Sequence, residues 1–203
     1  MMELKEAILK RCSVRRYKAD PIDLEELKEM INLAFRAPSG SNSQPWDFIV
    51  VSDEKLRKEV ADLVVSAHHE YWSKARVEHH DGQVLENMLK MYKGMANVPA
   101  FVVFCRNDNR NKTMEQEYDK YRLFWADQSV AAAITIFMLL CAEKGLGTCW
   151  LGTPMWRDKE LKKLLAIPQG VEVVGVTPVG YPASEGGRRP RLASQEVIHE
   201  NRW

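Results

Sequence analysis

Ser129 to Cys141 reads SVAAAITIFMLLC, a stretch without a single charge, with Asp127 just before it and Glu143-Lys144 just after it. It falls short of the roughly 20 residues that a helix needs to cross a bilayer. A helix that is apolar all round is instead buried, either in a large core or between subunits. The stretch therefore predicts one long central helix, from about Tyr118 to Lys144, around which the rest of the chain is arranged. Downstream, Gly145-Leu146-Gly147 stops the helix with the residue type that best tolerates a left-handed backbone. Thr148 to Leu151 is short and extended, Arg157 to Ala166 is helical, and Val171 to Val179 (VEVVGVTPV) is a strand that leaves through Gly180-Tyr181-Pro182. Upstream, Pro99 to Cys105 (PAFVVFC) and Trp46 to Val51 (WDFIVV) are two further apolar strands. Leu24, Leu27, Met30, Ile31, Ala34 and Phe35 recur at helical spacing, which predicts a helix over 23–37 with Asp23 as its cap and Pro38 as its stop. Residues 53–67 are helical by the same test, whereas His68 to Gly94 is polar and lacks a comparable apolar face, as a cap or excursion would. Strands separated by helices argue for an α/β or α+β sandwich with a central sheet.

A chain of 203 residues buries a continuous core without disulfides or metals, so one domain over 1–203 is expected, with an excursion at about 68–97 and a C-terminal extension at about 183–203. The formal net charge of +1 creates no global field that favours nucleic acid or an anionic membrane. Cys12, Cys105, Cys141 and Cys149 are scattered without a C-x-x-C pair, which fits a reducing compartment and no zinc site. The N-terminal residues read as an amphipathic helix rather than a secretory signal, so a cytoplasmic location is expected.

Lys10-Arg11-Cys12-Ser13-Val14-Arg15-Arg16-Tyr17 sets several cations and a hydroxyl at the end of the first helix. Guanidinium forks match phosphate oxygens, so the cluster suits a phosphate, though a solvated basic turn has the same composition. Arg188-Arg189-Pro190-Arg191 could share the same dianion or form an exposed tail. The loop Pro38-Ser39-Gly40-Ser41-Asn42-Ser43-Gln44-Pro45 offers amides, hydroxyls, Asn42 and Gln44 but no strong base. It suits the edge of a flat heteroaromatic, with Trp46 or Trp150 as an apolar wall, or else a structural turn. His68-His69 and His79-His80 are adjacent pairs whose rings point to different helix faces, so no metal site is expected. No Ser-His-Asp order, P-loop or G-x-G-x-x-G after a strand is present.

Arg11-Cys12-Ser13-Val14-Arg15, Pro38 through Trp46, Gly145 through Gly152 and Arg189-Pro190-Arg191 together resemble, in order and spacing, the FMN-dependent nitroreductase family. The resemblance implies a three-layer α+β sandwich with a mostly antiparallel sheet flanked by helices. It also implies an intertwined homodimer with FMN at the subunit interface and the apolar helix as its spine. Arg11, Ser13 and Arg15 would grip the FMN phosphate, Arg189 and Arg191 would complete the cage, and Cys12 departs from the basic or polar residue often found at its place. Trp150, Leu151 and Gly152 would lie along the flavin with a backbone N–H near its reactive nitrogen. Pro38, Ser39, Ser41 and Asn42, with Gln44 in the same loop, would reach it from the partner subunit. No catalytic side chain is expected, because FMN carries the chemistry. The implied activity is ping-pong transfer of electrons from NAD(P)H to a small acceptor such as a nitroaromatic or quinone, with Tyr71, Trp72 and Tyr92 as candidate substrate contacts. A reductive dehalogenase of the deiodinase type and a non-catalytic FMN-binding protein are the alternatives.

Overall fold

The computed structural model describes residues 2–74, 86, 90, 94–110, 119–184, 186–187 and 189–203. Tyr92, His79-His80 and Arg188 lie outside the described residues. The described order is α1 (Leu4–Lys10), α2 (Leu24–Ala34), β1 (Trp46–Val51), α3 (Glu54–Lys74), β2 (Ala100–Asn107), α4 (Asp119–Glu143), β3 (Gly147–Thr148), α5 (Asp158–Leu164), β4 (Val171–Gly180) and α6 (Ser194–Val197). Short 3-10 turns occupy Gly40–Asn42, Gly94–Asn97 and Thr153–Arg157.

The strands form one antiparallel sheet in the order β1-β2-β4-β3. Side chains alternate across a strand, so β2 supplies both faces: Phe101, Val103 and Cys105 point to one core, Ala100, Val102 and Phe104 to the other. The first core is closed by Val60, Ala61 and Val64 of α3 and Leu161 of α5. The second is closed by Leu27, Met30, Ile31 and Ala34 of α2 and by Val130, Ala133, Ile134, Phe137 and Cys141 of α4. Helices on both faces of a sheet make the α+β sandwich three layers deep.

Local signals act where the sequence puts them. The Asp23 side chain accepts from the N–H groups of Glu25 at 2.8 Å and Glu26 at 3.3 Å, satisfying donors that open α2. At the end of α4, Leu146 N–H donates to Cys141 O at 2.8 Å and Gly145 N–H to Ala142 O at 3.1 Å, with Gly145 at φ 74°. These two bonds are a Schellman closure, and the left-handed residue they require is the glycine.

Three expectations are corrected in detail. The helix expected over 53–67 runs on into the helix-prone stretch that follows it: α3 extends through Lys74, with His68 buried and His69 exposed. The helix expected to start at Arg157 is preceded by a 3-10 turn with Pro154 in its first positions, and α5 begins at Asp158. Helix α4 is 25 residues long, so Tyr121–Glu143 meets the length and apolarity of a membrane crossing that the charge-free stretch alone does not. Its inward side nonetheless packs on the sheet, while Tyr121, Phe124, Trp125, Gln128 and Thr135 are exposed. An apolar helix with one face on a core and the other face uncovered belongs between two packed layers, not in a single one.

Candidate functional site

The two ends of the chain meet beside β3. Val14 N–H donates to Thr148 O at 2.9 Å, and Ser13 bridges Thr148 in parallel, which extends the sheet edge. Residues 16–18 then run against the exit of β4: Lys18 N–H donates to Tyr181 O at 2.9 Å and Ala183 N–H to Arg16 O at 3.0 Å. The C-terminal segment next crosses Cys12 so closely that a β-carbon on Gly186 would stand 2.1 Å from the sulfur, and the Cys12 side chain would have to turn away. A cavity of about 580 Å³ opens there, lined among others by Lys10, Arg11, Cys12, Lys18, Thr148 and Gly186. Lys10 is paired with Glu6 at 2.8 Å, so Arg11 and Lys18 are the cations that the cavity presents.

Arg15 is placed differently from Arg11. It does not line that cavity; its Nε is buried and has no hydrogen-bond partner among the described residues. Arg15 is half-buried; burial raises the Cys149 thiol, and the charge of Arg15 and a hydrogen bond from Ser13 act against that rise. Arg189 and Arg191 are exposed, three and five residues beyond the Gly186 contact.

Trp150, Leu151 and Gly152 follow β3. Leu151 exchanges backbone hydrogen bonds with Val176 at 2.9 and 3.0 Å, which ties the segment to β4. Between Phe104 and Cys105 the pairing with β4 slips by one residue, so Gly175 faces Phe104 and Val173 faces Cys105. The bulge bends β4 where Trp150 lies on it, and a β-carbon on Gly175 would stand 2.4 Å from the indole Nε1. Gly175 was visible in the sequence as a glycine inside a strand, a known mark of close approach.

The turn after Gly152 is pinned to α3. His68, 3% exposed, has Nδ1 3.0 Å from Val64 O; a carbonyl only accepts, so Nδ1 carries the proton, and the Thr153 hydroxyl, 2.8 Å from Nδ1 and 2.9 Å from Nε2, can donate only to the unprotonated Nε2. Burial pushes the imidazole pKa down to about 4, the Val64 bond opposes that, and the Arg15 charge lowers it further. His68 is therefore neutral near pH 7. Sequence reading considered this histidine only as a metal ligand, and the absence of a partner at helical spacing gave no signal of the Thr153 contact.

The loop at 38–45 stands apart from all this. Ser41, Asn42 and Gln44 have φ of 52°, 54° and 46°. Left-handed backbone costs roughly 1–2 kcal/mol per residue outside glycine, least for Asn. The loop holds that conformation with its own side chains: Ser39 Oγ accepts from Gln44 N–H at 3.0 Å, and the Gln44 amide donates to Asn42 Oδ1 at 3.3 Å. Strain of this kind concentrates at binding sites. Pro38, Ser41, Asn42 and Gln44 are exposed, and Gly40 rests on α4 beside Trp125 and Ser129. From Ser129 to Gly145 the chain climbs α4 by about 24 Å at 1.5 Å per residue, so one chain does not bring this loop to the cationic cavity. Tyr71 and Trp72 lie at the end of α3, half-buried, next to the Thr153–Arg157 turn.

Known proteins share this arrangement. An NADH dehydrogenase of Thermus thermophilus is 27% identical over 98% of this chain and 96% of its own. An FMN reductase [NAD(P)H] of Bacillus subtilis is 24% identical over the whole of this chain and 75% of its own. The crystal structure of an oxidized iodotyrosine deiodinase bound to FMN and 3-iodo-L-tyrosine superposes with a TM-score of 0.76 at 26% identity, over 99% of this chain and 100% of that one. Residues 8–181 match the model of the nitroreductase family, and the chain belongs to that family.

Proposed function

We propose that this protein is an FMN-dependent oxidoreductase that takes electrons from NADH or NADPH and delivers them, in ping-pong order, to a small organic acceptor such as a quinone or nitroaromatic. The observation that carries this reading is the meeting of Arg11 and Lys18 with Thr148 and the C-terminal residues Pro182–Ser184 and Gly186 at one cavity, two residues before the Trp150–Gly152 segment. Those residues fit FMN: the cavity offers cations for a dianionic phosphate, and the buried Arg15 Nε is a donor awaiting an acceptor. Arg11, Ser13 and Lys18, with Arg189 and Arg191 beyond the Gly186 contact, would hold the phosphate. Arg15 would face the ring, and Trp150, Leu151 and Gly152 would run along it.

Bound FMN supplies the redox chemistry, accepting hydride from the nicotinamide and releasing electrons to the acceptor. The protein supplies position. His68, through Thr153, fixes the turn that follows Gly152, whose backbone N–H would serve the ring edge, and being neutral it adds no charge beside the half-buried Arg15. No side chain here has to move a proton, which fits the absence of an acid–base pair in the motifs. Titrating the purified protein with FMN and mixing it anaerobically with NADH and NADPH tests the reading. Yellow protein whose flavin absorbance bleaches at once is expected. A colourless protein that takes up no FMN sinks the proposal, flavin that never bleaches makes it a binding protein only, and turnover confined to halophenols makes it a dehalogenase.

The working unit in this reading is a homodimer of single-domain subunits. Tyr121, Trp125, Gln128 and Thr135 fall on one exposed side of α4 at helical spacing, and two copies packed antiparallel there would bring the 38–45 loop of one to the cavity of the other. Thr135 is exposed, with its hydroxyl already bonded to Ala131 O at 2.9 Å, so Thr135→Arg spares the subunit core. Light scattering is expected to show a monomer for this variant with its circular dichroism unchanged. A variant that stays dimeric places the interface elsewhere.

A further inference from the structure

After β2 the chain turns back over the exit of the 38–45 loop. Arg110 N–H closes this turn on Asn107 O at 3.2 Å, and Asn109 N–H donates to the Asn107 side chain at 3.0 Å. The turn sets the Arg110 guanidinium across Pro45, a residue with no N–H of its own. Arg110 Nη1 donates to Gln44 O at 3.0 Å and to Trp46 O at 2.9 Å, and Nη2 donates to the Asp47 carboxylate. Asn107 N–H donates to Pro45 O at 2.9 Å, and the Asn107 amide donates to the other Asp47 oxygen at 2.6 Å. Three consecutive carbonyls are thus engaged where the loop enters β1. At the loop's other end, Gly40 N–H donates to Ser129 Oγ at 3.4 Å, and that hydroxyl donates to Trp125 O at 2.7 Å. Asp127, between those two residues of α4, is gripped by Arg106 at 2.8 and 2.9 Å.

We propose that Arg110 is a positioning residue of the flavin site, acting across the subunit interface by holding the 38–45 loop in the shape that meets the flavin ring bound by the partner subunit. This rests on the FMN and homodimer reading above. Backbone geometry is the first argument. Gln44, at φ 46°, is the last left-handed residue of the loop, and Arg110 takes its carbonyl. The bonds of Gln44 to Ser39 and Asn42 lock the loop's interior, and the guanidinium fastens that locked unit to the sheet. Residue type is the second argument: a planar fork reaches two carbonyls and a carboxylate at once, which an ammonium on a flexible stem does not. Exposure is the third. The Arg110–Asp47 pair is 43% and 37% exposed, and an ion pair so open to water contributes little to stability. What the three bonds fix is orientation, and donors held in place bind a rigid ring without being ordered at that moment.

The test titrates apoprotein with FMN and with riboflavin. Arg110→Ala is expected to weaken both about tenfold, because the loop meets the ring and not the phosphate. Arg110→Lys, which keeps the charge without the fork, is expected to lose nearly as much, and both variants keep the dimer and the apoprotein melting temperature. Mixed dimers, purified through two different tags, pair an Arg110→Ala subunit with an Arg11→Ala subunit. Action across the interface puts both lesions on one site and leaves the other intact, so one flavin per dimer is expected to bind with unaltered affinity. The inference is overturned if Arg110→Ala binds both flavins as the unaltered protein does, if it weakens FMN alone, if its melting temperature falls with its affinity, or if the mixed dimer has no site of full affinity. Unaltered protein that binds FMN as a monomer overturns the inference while the flavin function stands. Unaltered protein that takes up neither flavin overturns the function with it.

Discussion

Arg11→Ala apoprotein is expected to bind FMN about a hundredfold more weakly than the unaltered apoprotein, while its affinity for riboflavin, which lacks the phosphate, stays the same. Arg11 lines the cavity at the meeting of the two chain ends, where Lys10 is already committed to Glu6. A hydrogen bond to a charged group contributes roughly 1.5–3 kcal/mol, and a guanidinium can present two to one phosphate. Partial solvent screening at this half-buried site cuts into that sum, which leaves roughly 3 kcal/mol, or two powers of ten. Arg11→Lys keeps the charge but loses the fork, so about a tenfold loss is expected, and that residual binding should weaken further with added salt. Quenching of flavin fluorescence during titration measures all of these. Equal losses for FMN and riboflavin would show that Arg11 supports the fold of the cavity and not a phosphate.

The parts of the molecule legible in the sequence are those set by one residue or one period. Asp23 announces the start of α2, Gly145 the end of α4, and the apolar alternation of PAFVVFC a central strand, because each is dictated within a few residues of chain. Of the four motifs, those at 11–15 and 145–152 are brought together beside β3, whereas the 38–46 loop lies apart along α4. What escaped depends on partners distant in sequence. That α3 continues through Lys74 is decided by His68 turning inward onto Thr153, 85 residues away, not by hydropathy. Arg11 and Arg15 look equivalent in the sequence, yet only Arg11 lines the cavity, while the Arg15 Nε is buried.

The stability of the folded protein is expected to fall by roughly 3 kcal/mol as the pH drops from about 6.5 to about 4, over and above the ordinary carboxylate contribution, and His68→Gln should remove that component. Above pH 6.5 the imidazole is neutral in both folded and unfolded chains, so no dependence arises there. Below it the unfolded chain takes up a proton at the ordinary histidine value, whereas folded His68 resists until about 4, because burial and then the Arg15 charge disfavour the cation despite the Val64 bond. The unfolded state therefore binds more protons throughout this window, and stability declines until the folded imidazole titrates too. Glu70, whose carboxyl is held below its usual value by Lys74, loses its own contribution at lower pH in both proteins, so the difference between them isolates His68. Glutamine cannot titrate, and its carbonyl can still accept from the Thr153 hydroxyl. Protonation of the imidazole converts Nε2 from acceptor to donor, so the Thr153 hydroxyl must turn to accept, and it sets a cation against Arg15. That repulsion loads the turn after Gly152, so FMN affinity is expected to fall over the same pH range in the unaltered protein and to stay flatter in His68→Gln. Denaturant unfolding and FMN titration at a series of pH values measure the two effects, and parallel curves for both proteins would remove His68 from either role.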